Sequence, residues 1–327
     1  MLTQPHGSAS ILVALMLAGS AAVATAQGVA FVSSEKDHAI SVVDLKAQAL
    51  LGSVATCKRP RHMQLSVDGK QLWVACSESN QADMIDVATR KSARRISLGE
   101  DPEVFDLSID GKTLYVSQED DATLIFVDAA NGKTLKSIEV GKEPEGVKTS
   151  VDGKTVYVTS EVANMVHVVD VASATLLKNI KVGKRPRRFA MTPDGKQLWV
   201  TNELDASVSI IDTGSRAVVG TLQFEIKGAR AADITPVGIV MSRDGTRAFV
   251  GLGRANHVAF VDVAQRKVTH TVLVGKRAWG LALDHAEKTL LVVNGLSDDL
   301  SFVDVAQAKA TKTIKVGRVP HSVVIVE

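Results

Sequence analysis

The residues able to do chemistry fall in two columns of a repeating sequence. Just after a recurring proline stand Arg61-His62, Glu103, Glu145, Arg187-Arg188, Val237, Trp279 and His321. Four residues past a recurring aromatic position stand Glu35, Ser77, Glu119, Glu161, Glu203, Gly253 and Gly295. Arginine and histidine can hold an anion such as a small carboxylate, and Arg61, His62 and His321 are the candidates for that. Glutamates hold a hard cation only where their oxygens converge, which spacing alone does not establish. A histidine near a glutamate could act as general base in ester or lactone hydrolysis. No GxSxG elbow, HExxH, P-loop or GxGxxG before a helix occurs, so no residue is assigned a catalytic or metal-ligating role.

The elements that carry these columns repeat seven times. An aspartate closing an apolar run recurs as Asp44, Asp86, Asp128, Asp170, Asp212, Asp262 and Asp304, in steps of 42 residues with one step of 50. The unit from Val140 to Lys181 holds four short β-type runs, the first two joined at Asp152-Gly153, a pair suited to a tight hairpin. A four-stranded unit of about 40–45 residues is the signature of a propeller blade. The expected fold is therefore all-β: a seven-bladed β-propeller of four-stranded antiparallel blades. The chain enters inside a unit, at the second-strand run from Val29, and ends on a first strand, His321 to Val326. Pairing that C-terminal strand with the N-terminal strands closes the ring and leaves no inner edge exposed. The two chemical columns then lie at the start of first strands and the end of second strands, neighbours in a hairpin that rim the mouth of the central channel. Acidic blades (Glu103, Glu119, Glu145, Glu161, Glu203) are expected to segregate from basic or histidine-bearing ones (Arg61, His62, Arg187, Arg188, His321). Charges at a water-filled opening also need no ligand to explain them.

Other columns read as scaffold. The aromatic series Phe31, Trp73, Tyr115, Tyr157, Trp199 and Phe249, completed by Leu291, is expected to pack between blades. The seven aspartates are expected to accept backbone N–H groups in the turn that follows them. The long step places eight extra residues around Phe224 to Ile234, a loop that can shape a binding surface.

Residues 1–26 read as a secretory signal peptide with Ala24-Thr25-Ala26 at the cleavage point, followed by one domain over 27–327. The expectation is a periplasmic or secreted monomer, free of the membrane once cleaved. Cys57 and Cys76 can either bridge or remain thiols, and neither begins a CxxCH haem attachment. A formal net charge of +2 provides no field for nucleic acid.

The second strands LYVSQ, VYVTS and LWVTN, each after a DGK turn and most with a VGKxP lead-in, resemble the YVTN family of exported β-propellers across the mature chain. The stretch GKRPRRFAMTPDGKQLWVTNE and the ending GLSDDLSFVDV are similar to the PQQ-dependent catabolism-associated β-propeller proteins. That resemblance implies a binding or accessory protein of quinoprotein alcohol oxidation, partnered by a periplasmic quinoprotein dehydrogenase or its cytochrome. The tryptophan-docked repeats of quinoprotein dehydrogenases are missing, so PQQ is not expected as a bound cofactor, and no other cofactor is implied. Other YVTN-like propellers are lactonases, which makes a lactonase-type hydrolase the rival reading.

Overall fold

The computed structural model describes residues 1–3 and 28–327, so the expected cleavage point and most of the leader lie outside the described residues. The described residues form twenty-eight strands in seven four-stranded antiparallel sheets. Each sheet takes consecutive strands, except the one in which the C-terminal strand Pro320–Val326 pairs with Val29–Ser34 at the chain's beginning. The ring closes as its register predicted. None of the described helices is long and apolar enough to cross a membrane.

Burial explains the strand composition. In one blade the second strand Thr155–Ser160 and third strand Met165–Asp170 are buried at nearly every position, whereas the outer strand Thr175–Lys181 is exposed at nearly every one. Inner strands covered on both faces by neighbouring blades lose apolar–polar alternation. The aromatic column fills the gaps between blades: Trp199 and Phe249 are fully buried, and Trp199 packs with Val208 of its own blade and Ala248 and Val250 of the next. Each such ring contributes about 1.5–3 kcal/mol through burial.

The turns follow their chemistry. Gly153 adopts φ +71°, and a side chain there would collide with Ile109 of the preceding blade. Asp152 Oδ1 accepts from Lys154 N (3.1 Å) and Ser150 Oγ (2.6 Å). The degenerate turn at Asp284 uses Glu287 in the left-handed position instead, at φ +54°. All seven third-strand aspartates accept a backbone N–H at 2.7–2.8 Å, from Ala47, Thr89, Ala130, Ser173, Ser215, Gln265 and Gln307.

Cys57 and Cys76 form a disulfide with Cα atoms 5.7 Å apart, tying a first-strand lead-in to the end of the second strand of the same blade. The insertion carries a short 3-10 turn, Ala231–Asp233, and its flanking Phe224 and Ile234 are buried in the cluster beside Trp199.

Candidate functional site

The first column reaches the channel because most innermost strands are irregular near their start. Pairing shifts register between Pro60 and Met63, Pro102 and Phe105, Pro144 and Val147, Pro186 and Phe189, and Ala278 and Leu281. A β-bulge inserts residues that the partner strand does not match and re-aims their side chains. Arg61, Glu103, Glu145, Arg187, Trp279 and His321 are thereby turned inward as one tier, each no more than 7% exposed. The candidates are buried across the channel rather than set on a hydrated rim. Glu161 and Glu203 from the second column are also buried, while His62, Glu119 and Arg188 are half-buried.

A hydroxyl strap holds the bulges. Thr159, two residues past the aromatic Tyr157, accepts from Gly146 N (2.7 Å) in its own blade and donates to Arg187 O (3.1 Å) in the next. Ser33, Ser117 and Thr201 make the equivalent pair of bonds, to Ser322 N and Arg61 O, to Val104 N and Glu145 O, and to Arg188 N and Val237 O. The backbone at Arg61, Glu145, Arg187 and Val237 is therefore held by a hydroxyl of the preceding blade.

The expected segregation of charge is not what the tier shows. Arg61 pairs with Glu103 and lies 3.7 Å from Glu35. Arg187 pairs with Glu161 and lies 3.3 Å from Glu145 and 3.7 Å from Glu203. Arg188 reaches Glu145 at 2.6 Å. Opposite charges interleave because an unpaired charge at this depth would cost several kcal/mol. Arg61 is consequently occupied by carboxylates rather than joined with His62 and His321 in an open anion site.

Three arginines that immediately precede first strands complete the mouth and were missed as candidates. Arg59 and Arg185 adopt left-handed backbone (φ +55° and +53°); Arg59 lies 3.6 Å from Glu35, and Arg185 lies 2.6 Å from Glu161 and 3.3 Å from Glu203. Arg277, at φ +61°, stacks over Trp279 at 4.1 Å, with Arg187 at 5.2 Å from the same ring. The signal was the Lys-Arg lead-in before Pro60, Pro186 and Ala278.

The histidines differ from the charged groups. His62 stacks edge-on against Phe105 at 5.0 Å, and burial, reinforced by Arg188, pushes its pKa down to about 3. His321 packs beside Trp279 at 5.7 Å, and both of its ring nitrogens lack a hydrogen-bond partner. Burial, followed by Arg61, Arg188 and Arg187, holds His321 well below the ordinary imidazole range. Both are neutral at pH 7. Among the carboxyls, burial and Glu145 hold Glu103 high, while for Glu145 burial is overcome by Arg187, Arg188 and Arg61, which keep it ionised. Oxygens of Asp101, Glu103 and Glu119 approach within 4.8 Å of one another, the one place among the described residues where acidic ligands converge. Arg59 and Arg61 already neutralise two of them.

The tier divides the channel into two cavities. The one toward the second-strand ends, about 250 Å³, is walled by Glu35, Glu119 and the lead-in arginines. The other, about 310 Å³ and toward the Asp-Gly turns, holds His62, Arg188, Asp106 and Lys148 among apolar side chains. Trp279 and His321 line both. Residues 224–234 line neither, because Phe224 and Ile234 anchor the insertion in the blade core.

A family model described as lactonase, seven-bladed β-propeller, matches residues 131–225 and 178–326, more than half of the chain. The chain belongs to that family. No curated protein matches this lactonase-family propeller. Its fold is similar to that of hydrazine synthase from Kuenenia stuttgartiensis, with 22% identity, 84% of this chain and 92% of that chain covered, and a TM-score of 0.76. It is also similar to a functionally unknown protein from Desulfotomaculum acetoxidans, with 16% identity, 91% and 98% covered, and a TM-score of 0.78. A third likeness is to the dihydro-heme d1 dehydrogenase NirN, with 13% identity, 90% and 74% covered, and a TM-score of 0.69. At such identities the likeness establishes the fold of the lactonase-family propeller and nothing about its chemistry.

Proposed function

We propose that this propeller is an exported, non-catalytic binding protein that serves quinoprotein-dependent alcohol oxidation by engaging a periplasmic quinoprotein dehydrogenase or its cytochrome. One observation carries the non-catalytic part: among the described residues neither His62 nor His321 forms an ion pair with a carboxylate, and Glu103, Glu145, Glu161 and Glu203 each lie against an arginine. A general base needs an orienting partner and a free lone pair aimed at water, and here the carboxylates that would orient a histidine are engaged elsewhere. The Cys57–Cys76 disulfide and the apolar leader support an oxidising compartment. The stretch GKRPRRFAMTPDGKQLWVTNE and the ending GLSDDLSFVDV support the quinoprotein association. The test is affinity capture with the tagged full-length chain from cells grown on an alcohol. A quinoprotein dehydrogenase or cytochrome should be retained, and a capture holding neither would overturn the association.

A lactonase reading is favoured by the family membership and by neutral His321, whose free ring nitrogen lies beside a field of arginines suited to a developing oxyanion. It requires turnover of sugar or aromatic lactones that His321→Ala or His62→Ala abolishes. The binding reading expects no turnover across such a panel.

A further inference from the structure

The cavity on the Asp-Gly side of the tier is lined by residues carrying polar groups that none of the described residues satisfies. Both terminal nitrogens of Arg188, the indole Nε1 of Trp279 and the two ring nitrogens of His321 are buried without hydrogen-bond partners. Arg188 lies 2.6 Å from Glu145, yet the two are not aligned for a hydrogen bond, and Glu145 is already within 3.3 Å of Arg187. Leaving such donors unmet is costly, so a group that meets them has a strong claim on the site.

The sign of the local charge restricts what that group can be. The cavity's one carboxylate, Asp106, is fully engaged: it accepts from Lys148 Nζ (2.9 Å), Gln64 Nε2 (2.8 Å) and Thr149 N (2.7 Å). Burial pushes the pKa of Arg188 down more than Glu145 restores it, and Arg188 in turn depresses His62 and His321. Glu145 is the one carboxylate beside Arg188, at 2.6 Å, and Arg188 shares it with Arg187 at 3.3 Å. The rest of the wall is apolar, from Met63, Phe105, Phe189, Ile239, Leu281 and Val323. At about 310 Å³ the cavity is at the small end of the range for small-molecule sites, roughly 300–1,000 Å³.

We infer that this cavity binds a small monocarboxylic acid with an apolar body, its carboxylate forked on Arg188 and bonded by Trp279 Nε1 and a ring N–H of His321. The inference deepens the proposed binding role and rests on the channel being a binding site. An apolar monoacid is what remains when an apolar primary alcohol has been fully oxidised, so the ligand's chemistry is that of a product of alcohol oxidation. A dianion would leave a second charge against the apolar wall, and an alcohol or amide would bring no charge to a guanidinium that shares its one carboxylate with Arg187.

The test is calorimetric titration of the full-length protein with benzoate and hexanoate against acetate, benzamide, benzyl alcohol and 1-hexanol. The two apolar acids should bind at least about tenfold more tightly than the neutral and shorter probes. Arg188→Gln should weaken benzoate by about tenfold or more in protein that is still folded at the titration temperature, with Arg188→Lys, which keeps the charge beside Glu145 and loses the fork, in between. In crystals soaked with 4-iodobenzoate the anomalous peak should fall within the cavity bounded by Phe105, Phe189 and Leu281. Acids that bind no better than their amide or alcohol, or a peak elsewhere, would overturn the inference without needing any variant to fold. Absence of acid binding with a quinoprotein still captured removes the ligand and leaves the accessory role; acid binding without capture does the reverse.

Discussion

Arg61 donates to Glu103 although the two hold the same position in consecutive blades, 42 residues apart, so one column of the repeat neutralises itself around the channel. The shared positions build seven similar blades, and the one column allowed to vary places opposite charges side by side where the bulges turn them inward. Arg187, with three carboxylates around it, is the second centre of the same network. A ring of identical arginines or glutamates at this depth would repel itself.

Removing one member should cost far more than removing both. Arg61→Met leaves Glu103, with no solvent exposure, beside Glu145 and Glu119, and is expected to lower stability by about 3–5 kcal/mol near pH 8. The loss should shrink on acidification, because a protonated Glu103 no longer needs a cation. The double change Arg61→Met with Glu103→Met should recover much of it. Chemical denaturation of the parent, single and double variants provides the cycle, and additive costs would rule out a coupled pair.

The fold was legible because its determinants are local and recur. Asp152-Gly153 gives a hairpin by its own backbone preferences, and Asp170 caps the turn three residues on; neither depends on a distant partner. Tyr157 and Trp199 read as core because an aromatic side chain once per unit has few other places to go. The channel residues were legible as a column, but their pairing was not. Whether Arg187 leans toward Glu145, Glu161 or Glu203 depends on a bulge and on the angle between blades, and neither leaves a trace in the spacing. The hydroxyl strap escaped for a different reason: Ser33, Ser117, Thr159 and Thr201 share a position that is Ala75, Gly251 and Val293 in other blades, and in a strand they read as filler. The lead-in arginines escaped because only a left-handed backbone swings Arg59, Arg185 and Arg277 over the mouth.

That strap makes a specific prediction. Thr159→Val keeps shape and burial but leaves the Gly146 N–H and the Arg187 carbonyl short of a bond, and is expected to cost about 1–3 kcal/mol. The two strands meet closely here: a side chain at Gly146 would fall on the Arg187 carbonyl oxygen. Thr159→Ser should be close to neutral. Amide exchange at Gly146 should quicken in the valine variant relative to amides of the outer strand Thr175–Lys181, and a global loss with no such local excess would argue against the strap.

Acid should weaken the ring through its two channel histidines. His62 is held down at about 3 and His321 well below its ordinary value, whereas an unfolded imidazole takes its proton near 6.5. Between those limits the unfolded chain binds protons that the folded chain refuses. The stabilisation is therefore complete above pH 6.5 and is lost as pH falls toward 3, with a slope of up to about 1.4 kcal/mol per pH unit for each histidine. Glu103 acts in the opposite sense: its raised pKa gives stability that is present at low pH and lost as pH rises through its folded value. Because the two trends overlap in the parent, the histidine share emerges by subtraction. Denaturation midpoints for the parent, His62→Asn and His321→Asn, taken from about pH 7.5 down to about pH 4.5, should converge as the pH falls. Parallel profiles would mean that these imidazoles are protonated in the folded channel, and the positive field assigned to Arg188 would then have to be neutralised by groups that the geometry does not place there.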